Sequence, residues 1–121
     1  MSGSKVVKLP TIKQIDKLIP IPEEVKKKVQ ENTQVLRNIV EGKDDRLIFI
    51  VGPCSAWPDK AVVEFAKELA DLRKQVEQEI EIVMRVYVQK PRTTVGWSGP
   101  LSYPDPWSSV NIPVGIKYCR K

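Results

Sequence analysis

The chain has 121 residues, a length that suits one ordinary domain or a piece of a larger one. Its hydrophobic fraction of 41% and charged fraction of 29% are typical of a soluble globular protein and argue against a disordered or a membrane protein. The net charge of +5 comes from lysines spread through glutamate-rich segments without interleaved aromatic residues, so we do not expect nucleic-acid binding.

Two helices are predicted in the first 42 residues. Thr11 and Gln14 have the spacing of a capping box, and the apolar residues that follow repeat at helical spacing as far as Pro20. Pro22 can serve as the first residue of a second helix, which carries an apolar stripe and has Gly42 as its predicted C-cap.

A parallel βαβ unit is predicted next. Leu47 to Val51 is a continuous apolar run without polar alternation, which is typical of a strand buried on both faces. A helix from Asp59 to Glu79 and a second strand from Ile80 to Val88 follow. Two parallel strands leave two unpaired edges, so this sheet cannot be complete within the chain.

A long loop follows the second strand. Five prolines occur from Pro91 to Pro113, and loops of such length in compact domains are usually functional. Gly115 to Lys121 is predicted to open another helix.

The N-terminus and the cysteines indicate the compartment. The first residues contain no apolar core of signal-peptide length, so we expect a cytoplasmic protein. Cys54 and Cys119 should be free thiols in that reducing environment. Histidine is absent, which excludes the commonest general base and the commonest metal ligand from this chain.

Two clusters lie at the carboxyl ends of the predicted strands, where parallel α/β folds bind ligands. Gly52 to Ser55 follow the first strand, and Lys90 to Thr94 follow the second. Arg85 shares a strand face with Val83 and Tyr87, and a buried arginine requires an anionic partner. Taken singly, Arg85 fits a structural ion pair equally well, the loop cations fit a solvated loop, and Cys54 fits a packing residue.

Taken together, these residues resemble the type I DAHP synthases, which make 3-deoxy-D-arabino-heptulosonate 7-phosphate. The motifs that carry the resemblance are Asp44-Asp45-Arg46-Leu47, Gly52-Pro53-Cys54-Ser55, and Met84-Arg85-Val86-Tyr87 running into Lys90-Pro91-Arg92-Thr93-Thr94-Val95-Gly96-Trp97. The resemblance implies an α/β fold in which an N-terminal helical extension, residues 1–42, precedes a TIM (β/α)8 barrel. Residues 43–121 would supply its first two strands, so the barrel is incomplete in this chain.

The resemblance also implies the reaction and the residues that serve it. Phosphoenolpyruvate condenses with erythrose 4-phosphate in an aldol-like step that releases phosphate, and a divalent metal ion assists. Cys54 matches the family's cysteine metal ligand, Arg85 an arginine that holds phosphoenolpyruvate, and Lys90 a catalytic lysine between the two substrates. Pro91, Arg92 and Thr93 match the loop that grips erythrose 4-phosphate. The full-length family implies a homo-oligomer.

Departures from the family pattern leave alternatives open. The remaining metal ligands of the family lie on later strands, so we do not expect stable metal binding by this chain alone. Trp57-Pro58-Asp59 stands where the family has a His-Asp-Pro step, and Lys8 and Leu9 replace acidic residues, so a particular feedback regulator is not implied. One alternative is a catalytically inactive remnant that interacts with other subunits. A related synthase of 3-deoxy-octulosonate phosphate is disfavoured by Lys90-Pro91-Arg92-Thr93-Thr94.

Overall fold

The structure, a computed structural model, describes residues 6–92 and 96–121. The elements in chain order are α1 (Ile12–Leu18), α2 (Glu23–Val40), β1 (Leu47–Val51), α3 (Asp59–Val76), β2 (Ile80–Met84) and α4 (Ile112–Arg120). None of the helices in this described part has the length and apolar composition that crossing a membrane requires. The chain divides into two compact units, Ile21–Val88 and the pair of segments Met1–Pro20 and Gln89–Lys121.

The unit Ile21–Val88 contains the predicted βαβ arrangement. β1 and β2 pair in parallel, with Leu47 opposite Ile80 at one end and Val51 opposite Met84 at the other. α3 connects the two strands and packs against β2. The order of elements and the parallel pairing confirm the predicted βαβ unit, because a parallel pair requires a crossover connection of this kind.

Both ends of α2 lie within one residue of their predicted positions. Pro22 is the N-cap rather than the predicted first helical residue, and Glu23 and Glu24 lie in the first turn, where carboxylates interact favourably with the positive end of the helix dipole. The C-cap is Glu41 rather than the predicted Gly42, and Gly42 follows it with a φ of 73°, a left-handed conformation that glycine reaches without a Cβ penalty.

Three predictions about the βαβ unit need correction. α3 ends at Val76 rather than Glu79, and the strand pairing of β2 ends at Met84 rather than Val88. β1 is largely exposed rather than buried on both faces. Its apolar composition suits burial, but within the described residues β2 is its one strand partner and its contact with α2 is limited, so much of it stays exposed.

A buried ionic cluster fixes the start of β2. The side chain of Glu81 is 4% exposed and pairs with Arg46, at 3.3 Å, and with Arg73 at the end of α3. Arg73 also donates to the side chain of Asn32 on α2, and Arg46 pairs with Asp44 at 2.8 Å. These contacts tie α2, α3 and both strand starts together, and they satisfy a carboxylate that would be costly to bury alone.

The unit formed by Met1–Pro20 and Gln89–Lys121 contains α1 and α4. Thr11 and Gln14 form the predicted capping box at α1. α4 begins at Ile112, earlier than the predicted Gly115, because Asn111 caps it by accepting a hydrogen bond from the backbone of Val114. Arg120 near the end of α4 forms an ion pair with Asp16 of α1.

Close packing holds α4 against the preceding loop. Gly115 is buried, and a Cβ at this position would overlap the carbonyl group of Leu101. Pro100, next to Leu101, is fully buried. The proline-rich segment before α4 is therefore packed rather than freely solvated where it meets the helix.

Candidate active site

The two strand-end segments of the Ile21–Val88 unit remain hydrogen-bonded beyond the sheet. The backbone N–H of Arg85 donates to the carbonyl of Val51 at 2.9 Å, and that of Ala56 donates to the carbonyl of Tyr87 at 2.9 Å. Gly52 lies so close to the Arg85 backbone that a Cβ at position 52 would overlap the Arg85 carbonyl oxygen. A glycine at the end of β1 is therefore required by the approach of the two chains.

Arg85 is held against this loop by its side chain. Its Nη2 donates to the carbonyl oxygen of Gly52 at 2.6 Å and lies 3.4 Å from that of Pro53. The guanidinium carbon lies 4.7 Å from the centroid of the Tyr87 ring, a cation–π distance. The backbone and the ring orient the guanidinium without neutralising its charge.

The remaining hydrogen-bonding capacity of Arg85 points to an anionic ligand. Its Nε is buried and has no hydrogen-bond partner among the described residues. Within that same part of the chain no carboxylate forms an ion pair with it, so the alternative of a structural ion pair finds no support there. An oriented, unneutralised guanidinium at a strand end is suited to bind a carboxylate or a phosphate.

Cys54 lies on the same loop, two residues after Gly52. Its side chain is exposed and it is not part of a disulfide. The described residues contain no group of three side chains from His, Cys, Asp and Glu that could hold a metal ion, and the whole chain lacks histidine. A divalent ion of the softness that suits a thiolate takes three or four protein ligands, so the residues present do not fit such a site by themselves.

Lys90, Pro91 and Arg92 belong to the other compact unit. The backbone N–H of Lys90 donates to the carbonyl of Ser98 at 2.6 Å, and Nε of Arg92 donates to the carbonyl of Trp97 at 3.0 Å. These two bonds join Lys90 and Arg92 to the segment at Trp97 and Ser98 within one unit. Thr93, the remaining predicted substrate-binding residue, lies outside the described residues.

Side chains further along the chain support this loop. Gln89 donates to the hydroxyl of Ser98 at 3.3 Å and accepts from that of Ser102 at 3.2 Å. The indole N–H of Trp97 donates to the carbonyl of Tyr103 at 3.1 Å. This hydrogen bond links Trp97 to the proline-rich segment that follows the loop.

The structure thus brings together the Gly52–Cys54 loop and Arg85, and it places Lys90 and Arg92 on a hydrogen-bonded loop of the second unit. Sequence reasoning missed the Glu81 cluster. A glutamate as the second residue of the otherwise apolar strand Ile80-Glu81-Ile82-Val83-Met84 was the available signal, since a charged group on a buried strand requires a partner.

Comparisons with known proteins agree with this geometry. The DAHP synthetase I family matches residues 20–117. Phospho-2-dehydro-3-deoxyheptonate aldolase of Corynebacterium glutamicum is 41% identical over 102 residues, which are 84% of this chain and 28% of that protein. The protein of the same name from Haemophilus influenzae is 40% identical over 113 residues, which are 93% of this chain and 31% of that protein.

A solved structure shows the same fold. Phospho-2-dehydro-3-deoxyheptonate aldolase from Francisella tularensis superposes with a TM-score of 0.89 at 35% sequence identity. The match covers 97% of this chain and 34% of that one. The chain therefore spans about three tenths of the length of the curated relatives that it matches.

Proposed function

The chain belongs to the DAHP synthetase I family, and from this membership we propose that it carries the part of a DAHP synthase active site that lies at the carboxyl ends of the first two barrel strands. In the proposed reaction, phosphoenolpyruvate condenses with the aldehyde of erythrose 4-phosphate and water adds at C2 of phosphoenolpyruvate, which gives DAHP and releases phosphate. One observation supports the proposal above all: Arg85 is oriented by the carbonyl of Gly52 at the carboxyl ends of two parallel strands, with no described carboxylate paired to it. Barrel enzymes place their active sites at that end.

Each predicted site residue has a proposed role that its chemistry allows. Arg85 binds the anionic groups of phosphoenolpyruvate, and Lys90, lying between the two substrates, acts in proton transfer. Arg92 and Thr93 bind the phosphate of erythrose 4-phosphate, and Pro91 fixes the backbone of their loop. These roles extend the resemblance of the Lys90-Pro91-Arg92-Thr93-Thr94 segment to this chain.

No step of the proposed reaction is assigned to a metal ion. Cys54 stays a predicted ligand, but a thiolate alone does not hold a divalent ion, and the other ligands would come from outside these 121 residues. We therefore propose that this chain has no DAHP synthase activity by itself. As in the rest of the family, a homo-oligomer is the proposed assembly, and the cytoplasm is the proposed location.

A chimeric enzyme tests the proposal. These 121 residues replace the matching N-terminal part of the Haemophilus influenzae relative, and phosphate release from the two substrates is measured. We expect an active enzyme. Lys90→Met should lower kcat by about a thousandfold, since positioned proton transfer contributes between about a hundredfold and ten-thousandfold. Arg85→Gln should raise the KM for phosphoenolpyruvate by at least about tenfold, because a charge-assisted pair is lost.

Lys117→Met is the matched control, since Lys117 is an exposed lysine on α4. It should leave both constants unchanged. A folded but inactive chimera would contradict the proposal and favour the alternative of a catalytically inactive remnant. Equal effects of Lys90→Met and Lys117→Met would remove Lys90 from the proposed mechanism.

A further inference from the structure

The side chain of Gln89 bridges two separate segments within one compact unit. Its Nε2 donates to the hydroxyl of Ser98 at 3.3 Å, and its Oε1 accepts from the hydroxyl of Ser102 at 3.2 Å. A glutamine amide both donates and accepts, so it can join two hydroxyl groups without bringing a charge to the site. Gln89 directly precedes Lys90, the first residue of the proposed substrate loop.

The segment on the Ser102 side is fixed by contacts with α4. The carbonyl of Ser102 accepts from the backbone N–H of Asn111, the N-cap of α4, at 2.8 Å. The carbonyl groups of the two preceding residues, Pro100 and Leu101, lie so close to Gly115 of α4 that a Cβ there would overlap them. None of these contacts involves the glutamine, so the segment is a support that is held independently of it.

The segment on the Ser98 side contacts Lys90 and Arg92. The carbonyl of Ser98 accepts from the backbone N–H of Lys90 at 2.6 Å, and the carbonyl of Trp97 accepts from Nε of Arg92 at 3.0 Å. The side chain of Arg92 also lies over Gly96, where an added Cβ would be 3.5 Å from its Cδ. A shift of this segment would therefore move the guanidinium of Arg92.

We propose that Gln89 is a positioning residue for the phosphate of erythrose 4-phosphate, because it holds the Ser98 segment against the support at Ser102 and so fixes Arg92. The inference rests on the proposed function, in which Arg92 binds that phosphate. Gln89 acts through Ser98 and Trp97 rather than by touching the substrate. It is exposed, so water competes for its hydrogen bonds, and their loss should alter the loop more than the stability of the whole unit.

A kinetic test compares Gln89→Met with the unsubstituted protein in the chimeric enzyme described above. Methionine has nearly the length of glutamine but forms neither hydrogen bond. The KM for erythrose 4-phosphate should rise about fivefold, the effect of about one net hydrogen bond, and the KM for phosphoenolpyruvate should change by less than about twofold. A merely structural role would reduce the amount of folded enzyme, which lowers the apparent kcat and leaves both KM values unchanged.

Ser102→Ala tests whether Gln89 acts through its support, since it removes the hydroxyl and keeps the backbone bond to Asn111. In the Gln89→Met background it should not raise the KM further, because effects that pass through one contact are not additive. Gln34→Met is the matched control. Gln34 is an exposed glutamine of α2 whose side chain donates to Asn38, and its substitution should leave both KM values unchanged.

A second test needs no activity and uses the full 121-residue chain. The backbone amide of Lys90, which donates to Ser98, should exchange its hydrogen about fivefold faster in Gln89→Met, because the loop opens more readily without the bridge. Gln34→Met should leave this exchange rate unchanged.

The proposal is overturned by an unchanged KM for erythrose 4-phosphate in an active chimera, by equal rises in both KM values, or by additive effects of Gln89→Met and Ser102→Ala. An unchanged exchange rate at Lys90 overturns it as well, whether or not the chimera is active. If the unsubstituted chimera is inactive, the proposed function fails and the role of Gln89 in substrate binding fails with it. The exchange at Lys90 then shows separately whether Gln89 holds the loop.

Discussion

At the scale of single residues, Gly52 determines how closely the two strand ends approach. A Cβ at this position would overlap the carbonyl oxygen of Arg85, whose own N–H is fixed by a 2.9 Å hydrogen bond to Val51. The neighbour is backbone rather than the end of a flexible side chain, so it cannot move aside alone. Gly52 therefore supports the position of Arg85, the residue on which the proposed substrate site depends.

We predict that Gly52→Ala lowers the free energy of unfolding by about 3 kcal/mol, the upper part of the range for an overpacked position. Gly42→Ala is the control, because Gly42 has a φ of 73° but open space around it. Its cost should be about 1 kcal/mol, the price of the left-handed conformation alone. Urea unfolding of the purified variants measures both. Equal costs would show that the close approach at Gly52 is not tight.

Asp44 gives a prediction about acid stability. Hydrogen bonds from the side chain and backbone of Arg46 lower the pKa of the Asp44 carboxyl below its ordinary value of 3.8. The folded state therefore favours the carboxylate. The stability that this pair contributes is present above pH 3.8 and is lost as the pH falls through the lower pKa of the folded state.

Asp44→Asn should accordingly flatten the loss of stability as the pH falls below 3.8, because the variant has no carboxyl to protonate at this position. Asp45→Asn is the matched control, since Asp45 is exposed and forms no ion pair with any described residue. The urea midpoint measured against pH checks both. A parallel pH dependence in Asp44→Asn and the unsubstituted chain would contradict the prediction.

At the scale of elements, the ion pairs of Glu81 join the end of α3 to the starts of both strands. Arg46 precedes β1, Arg73 lies in the last turn of α3, and both pair with the one buried carboxylate. The cluster fixes the end of the helix relative to the strand that follows it, which an apolar contact would define less specifically.

We predict that Glu81→Gln lowers the free energy of unfolding by about 2 kcal/mol. Breaking a buried pair costs about 3–5 kcal/mol when the remaining charge is isolated. Here Arg46 keeps Asp44 and Arg73 keeps Asn32, which reduces the cost. Glu79 is an exposed turn residue directly before β2, so Glu79→Gln should change the free energy of unfolding by less than about 0.5 kcal/mol. Equal effects in thermal unfolding would contradict a structural role for Glu81.

The elements were predictable from local signals, whereas their burial was not. The bounds of β1 and the capping box at Thr11 follow from residues adjacent in sequence, and the structure confirms both. β2 ends at Met84, earlier than predicted. Its apolar composition continues past Met84, but the strand with which it pairs, β1, ends at Val51. The contact between Arg85 and Gly52 joins residues 33 positions apart, so strand-end placement predicted their proximity but not the hydrogen bond.

At the scale of the whole molecule, the described structure leaves exposed several apolar residues of β1 for which the sequence pattern predicts burial. An apolar strand such as β1 is typical of a barrel whose helices and neighbouring strands cover it. The described residues supply one neighbouring strand and leave Leu47, Phe49 and Ile50 exposed. Monomeric proteins rarely present such a contiguous apolar surface unless it is used in an interaction.

This exposed strand leads to a prediction for the native chain. A dye that fluoresces on apolar surfaces should bind without denaturant, because β1 and the apolar groove between the sheet and α3 are open in the folded state. Phe49→Ser should lower the fluorescence by roughly half, since Phe49 is exposed and also lines the groove. Val63→Ser removes an exposed valine of α3 outside the groove and should have little effect. If the two variants bind dye equally, the apolar surface lies elsewhere on the molecule.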